Sequence, residues 1–238
     1  MKFAVQLYSL REYIAANGLE SALKIISEAG FEGVEFAGFY NKSAEELSSL
    51  LQKYRLAAVS AHIGNDAFEK ELPTVKALNI KAVCVPWIGF NCGADVQEEY
   101  EKTRRTYALA RENGIVLGYH NHAHEFIGGS DYVKGIADAV KGLKLELDVF
   151  WLAVAGINAL SYMEEEKDRL LFLHIKELGA DGAEGVNPVV GQGLAQCGAV
   201  MEKGKALGVP WAILEAEKIG MAEDKYLSES CKFMKKYQ

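Results

Sequence analysis

Eight short β-rich runs, separated by stretches with helical periodicity, constrain the fold of this chain more than any other feature. The runs are 3–8, 33–36, 57–62, 82–87, 116–121, 143–149, 170–176 and 211–217. Between them, apolar residues recur three and four positions apart, as Leu19, Leu23 and Ile26 do, which is typical of an amphipathic helix. A repeating βα unit of about 30 residues therefore extends along the whole chain.

Eight such units predict an α/β protein with one domain, residues 1–238, folded as a closed (β/α)8 barrel, the TIM barrel. An open, doubly wound sheet is the alternative. No GxGxxG motif follows the first run, and no phosphate-loop pattern occurs, which disfavours the open sheet. No linker or low-complexity segment indicates a second domain.

Composition excludes several classes of partner. The formal net charge is −7 and the basic residues are scattered, so the chain has no basic stripe for nucleic acid. The first residues are too polar for a signal peptide, and no apolar stretch approaches the roughly 18 residues of a membrane span. The four cysteines form no CxxC pair. We expect a cytoplasmic protein that binds neither nucleic acid nor membrane.

Histidines mark the ends of three runs. His62, His120, His122, His124 and His174 all fall where an apolar run is about to end. Histidine is the commonest metal ligand and a proton carrier at neutral pH. Since TIM barrels place their active sites at the carboxyl ends of their strands, this pattern indicates an enzyme.

Strand alternation predicts which polar side chains face the barrel axis. In the last four runs, these are His120 and His122, Glu146 and Asp148, His174 and Lys176, and Glu215 and Glu217. A metal site formed by His120, Asp148, His174 and Glu215 would combine two imidazoles with two carboxylates. That set suits Mn²⁺, Co²⁺, Zn²⁺ or Fe²⁺, with Mg²⁺ possible but less favoured. One coordination position would stay open for substrate oxygens.

Six motifs carry a resemblance to a known family. QLYSLR, GVEF, YHNHAHEF, ELDVFW, LHIKE and WAILEAE, in this order and spacing, resemble the xylose isomerase-like TIM barrels called sugar phosphate isomerases and epimerases. Members of that group hold one divalent metal through strands five to eight, most often with Glu, Asp, His and Glu. By position, Asp148, His174 and Glu215 match the last three ligands. His120 stands in place of the first glutamate, as in the YHNH branch of the group.

The resemblance implies proton abstraction next to a carbonyl, with an enediolate intermediate stabilised by the metal. The catalytic candidates are Glu215 as a proton relay, His122 as a second acid/base group and Lys176 as a partner for a substrate oxygen or phosphate. His62 is a further acid/base candidate and also a substrate-binding one. The other substrate-binding candidates are Glu125, Glu35 and Trp87.

Several candidates also allow a purely structural role. His62 or His124 could be a hydrogen-bonded structural imidazole. Glu146 could pair with Lys144 or orient an imidazole ligand. Lys176 could neutralise Glu177 or Glu217 at the rim, and aromatic residues such as Trp87 could pack rather than bind sugar.

Three functions remain open at this stage. The first is a metal-dependent isomerase or epimerase of carbohydrate metabolism, acting on a ketose, a keto-inositol or a sugar phosphate. The second is a lyase of the same fold, either a keto-inositol dehydratase or a 3-keto-glycoside eliminating enzyme. The third is a non-catalytic sugar-binding barrel. A DNA repair endonuclease would need a three-metal site and a basic groove, which the acidic balance disfavours. The expected partner is a small sugar, and a homo-oligomer is one of the states open to the chain.

Overall fold

A computed structural model describes residues 1–238 and contains a closed barrel of eight parallel strands in sequence order. The strands are β1 Lys2–Gln6, β2 Gly33–Ala37, β3 Ala57–His62, β4 Ala82–Val85, β5 Val116–His120, β6 Lys144–Asp148, β7 Leu170–Ile175 and β8 Trp211–Leu214. Pairing of β1 with β8 closes the barrel, so the prediction of a (β/α)8 barrel is confirmed and an open sheet is excluded.

Ten α-helices connect and surround the strands. They are α1 Arg11–Asn17, α2 Leu19–Ala29, α3 Ala44–Tyr54, α4 Phe68–Ala77, α5 Val96–Glu112, α6 Tyr132–Ala139, α7 Val149–Val154, α8 Ala159–Glu165, α9 Cys197–Ala206 and α10 Glu223–Met234. None of them combines the length and apolarity that a membrane-crossing helix needs.

Strands β1, β4 and β8 end two or three residues earlier than the sequence pattern predicts. β4 ends at Val85, directly before Pro86, which has no backbone N–H to donate to a neighbouring strand. β8 ends at Leu214, and the backbone N–H groups of Glu217 and Lys218 both donate to the side-chain oxygen of Asn187. The polar residues that follow these strands therefore lie on the loops at the barrel rim.

Side chains fill the barrel interior in two chemically different regions. At the amino-terminal end lies an apolar floor, which we define as Ala4, Val59, Ala82, Cys84, Phe172 and Ile213. Towards the carboxyl ends of the strands, the interior side chains are charged or polar, and most of them are buried. A larger apolar core of 56 buried residues packs the strands against the surrounding helices.

Register shifts in two strand pairs affect how the interior side chains are placed. The β2–β3 pairing shifts between Val34 and Glu35, and the β6–β7 pairing shifts between Leu145 and Glu146. Irregularities of this kind re-aim the side chains next to them. Both glutamates lie inside the barrel and are fully buried.

Candidate active site

The four predicted ligands meet above the floor, in what we call the upper layer: His120, Asp148, His174 and Glu215, with Lys176 beside them. One donor atom from each of the four predicted ligands lies within 4.8 Å of all the others, and all four residues are buried. The β6–β7 register pairs Asp148 directly with His174, which places both residues at the same height in the barrel.

Local hydrogen bonds hold Asp148 in place. Its Oδ1 accepts from the backbone N–H of Trp151 at 3.1 Å and so caps helix α7. The amide of Asn121 bonds both backbone groups of Asp148, at 2.8 Å to the N–H and 3.2 Å to the carbonyl. The other carboxylate oxygen, Oδ2, is buried and lies 2.9 Å from the ammonium of Lys176. One oxygen of Asp148 is therefore structural, and the other faces the charged groups of the upper layer.

Lys176 places a buried ammonium among three carboxylates. Its Nζ lies 2.9 Å from Asp148 Oδ2, 2.7 Å from Glu215 Oε2 and 3.0 Å from Glu217 Oε1. Burial alone would lower the pKa of Lys176, but Asp148 and Glu215 raise it above its ordinary value. The side chain thus remains a cation, and it neutralises part of the upper layer.

The upper carboxylates are ionised at neutral pH. Burial raises the pKa of Asp148 to about 6, against the neighbouring ammonium of Lys176, which lowers it. Burial also acts to raise the pKa of Glu215, but Lys176 and His174 hold it well below its usual range. Glu215 is therefore a carboxylate that can accept a proton.

Two of the histidines are neutral. Burial, together with the charge of His174, lowers the pKa of His120 to about 3. Burial, together with His120, lowers the pKa of His122 to about 2. The Nδ1 atoms of both rings are buried without a hydrogen-bond partner in the protein, which leaves both available to a metal ion.

Beneath the upper layer, the carboxylate of Glu146 lies close to three imidazole rings. We call His62, His120, Glu146 and His174 the lower layer; His120 and His174 belong to both layers. Glu146 Oε2 lies 2.6 Å from His62 Nε2, 3.3 Å from His174 Nε2 and 3.4 Å from His120 Nδ1. Of the two alternatives left open for Glu146, the geometry matches contact with imidazoles, because Lys144 donates instead to the carbonyl of Asp168.

A second carboxylate, Glu35, lies beside the lower layer. Gln6 donates to its Oε2 at 2.8 Å, and Ser60 donates to its Oε1 at 2.6 Å. The same Oε2 is 2.7 Å from His174 Nε2. Burial and the charge of Glu146 raise the pKa of Glu35.

The histidines that face these two glutamates are more basic than usual. Burial alone would lower the pKa of His62, but Glu35 and Glu146 raise it above its ordinary value. For His174 the same two carboxylates outweigh burial and raise the pKa well above its ordinary value. Conversely, His174 and His62 hold the pKa of Glu146 well below its usual range, although burial acts to raise it.

A cavity of about 400 Å³ opens above the two layers, within the range of small-molecule sites. It is lined by Tyr8, Ala37, His62, Pro86, Trp87, His120, His122, Trp151, Glu215 and Glu217. Trp87 has 53% of its surface exposed, and Tyr8 has 41%. The cavity therefore has aromatic walls and an ionisable base.

Of the residues that the sequence indicates for catalysis or substrate binding, four line this cavity: His62, Trp87, His122 and Glu215. Lys176 lies behind the lining, fully buried, and Glu35 lies below it. Glu125 is also buried outside the cavity, where it accepts hydrogen bonds from the Tyr119 hydroxyl at 2.6 Å and the His122 N–H at 2.9 Å.

His124 is held outside the cavity lining. Its Nε2 is 2.7 Å from the carbonyl oxygen of Ile88, and its ring contacts that of Trp87 with centroids 5.4 Å apart. This contact ties the loop after β5 to the loop after β4. The arrangement matches the structural alternative for His124.

Sequence reasoning missed three supporting residues: Gln6 and Ser60, which hold Glu35, and Asn121, which holds Asp148. The alternation rule could have placed Gln6 on the inward face of β1 and Ser60 on the inward face of β3, together with His62. No comparable signal exists for Asn121, because its partner is the backbone of another strand.

The donor chemistry of the upper layer fits a divalent cation. Two imidazole nitrogens and two carboxylate oxygens, one from each of the four residues, converge within 4.8 Å of one another. An ion held there would share Asp148 and Glu215 with the ammonium of Lys176. The mixed nitrogen and oxygen set suits first-row transition metals more than Mg²⁺.

Comparison with known proteins agrees with this architecture. The family model of the xylose isomerase-like TIM barrel matches residues 23–237. A search of curated proteins finds no match to the sequence.

Solved structures with the same barrel include three informative examples. A sugar phosphate isomerase/epimerase from Parabacteroides distasonis superposes with a TM-score of 0.80 at 18% identity, covering 98% of this chain and 92% of that one. A probable 3-DHS dehydratase involved in petrobactin synthesis, from Bacillus anthracis, gives 0.80 at 14% identity, covering 99% of each chain. D-allulose 3-epimerase from Methylomonas sp., in complex with D-allulose, gives 0.78 at 16% identity, covering 100% and 97%. At these identities the likeness establishes the shared fold.

Proposed function

The chain belongs to the xylose isomerase-like TIM barrel family, and on that basis we propose that it is a divalent-metal-dependent isomerase or epimerase of a sugar or sugar phosphate. The observation that carries this proposal is the convergence of His120, Asp148, His174 and Glu215 beneath a cavity of about 400 Å³. The reaction begins with removal of a proton next to the substrate carbonyl and passes through an enediolate.

His120, Asp148, His174 and Glu215 would hold the metal ion, which is Mn²⁺, Co²⁺, Zn²⁺ or Fe²⁺ by the donor set. When bound, the ion polarises a carbonyl group and so favours loss of the adjacent proton. Asn121 and the cap of helix α7 keep Asp148 in its orientation. Below the upper layer, Glu35 contacts His174 Nε2 and Glu146 contacts His120 Nδ1. These contacts orient both imidazole rings.

Glu215 is the base in this proposal. It lines the cavity, and Lys176 and His174 keep it ionised by lowering its pKa. His122 is the second acid/base group, because it lines the same cavity as a neutral imidazole whose Nδ1 is free of hydrogen bonds. If Glu215 gives its proton to the next carbon, the sugar is isomerised. If His122 delivers a proton, drawn from solvent in the cavity, to the opposite face of the same carbon, the sugar is epimerised and Glu215 releases its own proton to solvent.

Lys176 and the aromatic walls complete the site. The Lys176 ammonium lies 2.7 Å from Glu215, so it stabilises negative charge at the reacting end of the cavity. Trp87 offers an exposed ring face on which a sugar could stack. Glu35 and Glu125 act indirectly, Glu35 by contacting His174 and Glu125 by holding the backbone of His122.

Deuterium exchange tests the proposal directly. Incubation of a panel of ketoses, keto-inositols and their phosphates in deuterated water with supplied Mn²⁺ should give exchange at the α carbon of at least one compound. Glu215→Gln should lower this rate by about 10²–10⁴-fold, the usual contribution of a general base. Absence of exchange across the panel, with sugar binding retained, would contradict the proposal and favour a sugar-binding protein.

A lyase is the second candidate, and one observation favours it. His120 occupies the fifth-strand position where the resembling family most often has a glutamate, so one of the two acid/base carboxylates of a ketose epimerase is missing. In a lyase, the proton that Glu215 removes from carbon could be passed to the oxygen of a departing β-hydroxyl or β-alkoxyl group, so a second acid/base carboxylate is not required. Loss of water or of an aglycone, detected by mass spectrometry, would identify this reaction.

The remaining predictions belong to this proposal. Residues 1–238 form one domain of a cytoplasmic enzyme of carbohydrate metabolism, and its partner is a small sugar. Three of the four free cysteines, Cys84, Cys197 and Cys231, are buried, which is consistent with a reducing environment.

A further inference from the structure

The lower layer has the composition of a metal site in its own right. We propose that His62, His120, Glu146 and His174 form a second cation site, which binds a divalent transition-metal ion such as Zn²⁺ or Co²⁺ even when the carboxylates of the upper layer are removed. The proposal concerns ion binding and does not require the isomerase reaction.

The distances around Glu146 carry the argument. Its Oε2 is 3.3 Å from His174 Nε2 and 3.4 Å from His120 Nδ1. Tetrahedral zinc with bonds of about 2.0–2.1 Å separates neighbouring donor atoms by about 3.3 Å. His62 Nε2 is 2.6 Å from the same oxygen, so its ring would have to move outward by about 0.7 Å to reach the tetrahedral separation and complete the set. One donor atom from each of the four residues lies within 4.8 Å of all the others.

Two buried polar atoms in this layer have no hydrogen-bond partner in the protein. They are His120 Nδ1 and Glu146 Oε1, in residues that are 2% and 0% exposed. A buried polar atom without a partner costs free energy, so native structures normally provide one. A bound ion would provide the partner for His120 Nδ1, and it would engage the Glu146 carboxylate.

The shared histidines present different atoms to the two layers. His120 directs Nε2 towards Asp148 Oδ2, at 4.0 Å, and Nδ1 towards Glu146. His174 directs Nδ1 towards Glu215 Oε2, at 3.3 Å, and Nε2 towards Glu146. The lower layer therefore uses ring nitrogens that the upper layer does not need.

The charge balance of the interior also favours a cation here. Three carboxylates of the upper region, Asp148, Glu215 and Glu217, surround the Lys176 ammonium. Glu35 and Glu146 are fully buried, and the only ionisable groups of opposite charge that they contact are imidazoles. Because a buried charge is costly unless it is paired, a divalent ion bound among these imidazoles would pair the two carboxylates. Three nitrogens and one oxygen favour Zn²⁺ or Co²⁺ over Mn²⁺ or Mg²⁺.

The decisive experiment separates the layers by mutation. The double variant Asp148→Asn, Glu215→Gln removes the upper carboxylates and keeps every histidine. After dialysis against Zn²⁺ and removal of free ion, elemental analysis should find about one zinc per chain in this variant. Adding Glu146→Gln should remove that zinc, whereas adding Glu217→Gln, a charge-matched control, should not. Circular dichroism checks that each variant is folded.

A second variant and a crystallographic measurement test the zinc site independently. If the Glu146 variant fails to fold, His62→Gln, at the cavity wall, should cause the same loss of zinc. In crystals of the double variant, anomalous scattering at the zinc edge should place the ion about 2.0–2.2 Å from Glu146 and from an imidazole nitrogen.

The outcomes distinguish this inference from the proposed function. If the wild type binds one zinc and the double variant binds none, the lower layer only orients the upper ligands; the inference is overturned and the proposed function survives. Zinc that persists after Glu146→Gln and His62→Gln also overturns the inference. A wild type that binds no divalent ion contradicts both.

Discussion

The apolar floor of this barrel and its mouth, by which we mean the upper and lower layers together, are formed by the same strands but differ completely in chemistry. Along β7 and the residue after it, successive inward side chains are Phe172, His174 and Lys176. Along β8 and the residue after it, they include Ile213 and Glu215. Inward-facing side chains are two residues apart along a strand. One such step leads from the apolar floor to the buried cluster of charges.

The difference shows how one scaffold serves stability and function separately. The floor side chains need no partners, so their burial contributes directly to folding. The mouth holds carboxylates, imidazoles and an ammonium that are stable only while each has an opposite charge nearby. Because the floor excludes water, those charges interact more strongly than they would in solvent.

The largest effect is expected from His174→Ala, which removes a group shared by both layers of the mouth. Metal content should fall, and activity should drop by more than the about 10²–10⁴-fold that loss of a general base costs. Elemental analysis measures the metal content, and the deuterium exchange assay measures the activity. His124→Ala is the matched control, because His124 Nε2 contacts the Ile88 carbonyl outside the cavity. The His124 variant should retain the metal content of the wild type. Unchanged metal content in the His174 variant would remove this residue from the site.

Phe172→Ala tests the floor in the same strand. Removing a buried phenylalanine should lower the free energy of unfolding by about 3–5 kcal/mol, because a cavity replaces the ring. Denaturant unfolding measures this change. At a temperature where the variant is folded, its metal content should match the wild type. Loss of metal in a folded Phe172 variant would mean that the floor and the mouth are not separable.

The mouth should also respond to pH. Asp148 has its pKa raised to about 6, and the pKa values of His62 and His174 are raised as well, so protons occupy these groups at higher pH than usual. A metal ion must displace them, so its affinity should increase as pH rises, by about tenfold per pH unit for each proton displaced. Below about pH 6, where Asp148 is also protonated, the dependence should be steepest. Calorimetric titration of the metal at several pH values measures it, and a flat profile would contradict the assignment.

Trp87→Ala should have the smallest effect. Its ring lines the cavity with 53% of its surface exposed, whereas the residues of the two charged layers are buried or nearly so. Loss of a stacking contact of about 0.5–1.5 kcal/mol should raise KM about 2–10-fold and leave kcat nearly unchanged. Steady-state kinetics with the exchanging sugar provide the test. A fall in kcat of comparable size would place Trp87 closer to the reaction than the geometry indicates.

The contribution of local patterns is clearest at β5. The apolar run predicts a strand, and alternation predicts that His120 and His122 share a face, as they do around the cavity. The same reasoning predicts Glu125 as a substrate-binding residue, whereas the structure places its side chain outside the cavity lining. A 3₁₀ segment over His124–Gly129, interrupted by non-helical backbone at Ile127 and Gly128, buries Glu125, and the Tyr119 hydroxyl donates to its carboxylate. Nothing in the spacing of YHNHAHEF distinguishes a side chain that enters the cavity from one that turns under it.

By itself, the sequence determined the closed (β/α)8 barrel and the strand ends that carry its polar residues, because period, run length and turn residues are local properties. Only the tertiary structure decided the heights of these residues in the barrel. Register shifts beside Glu35 and Glu146 accompany their positions next to the lower layer, and the length of Lys176 lets its ammonium lie between Asp148 and Glu215. Alternation specifies the face of a strand, whereas height depends on pairing between strands that are far apart in the chain.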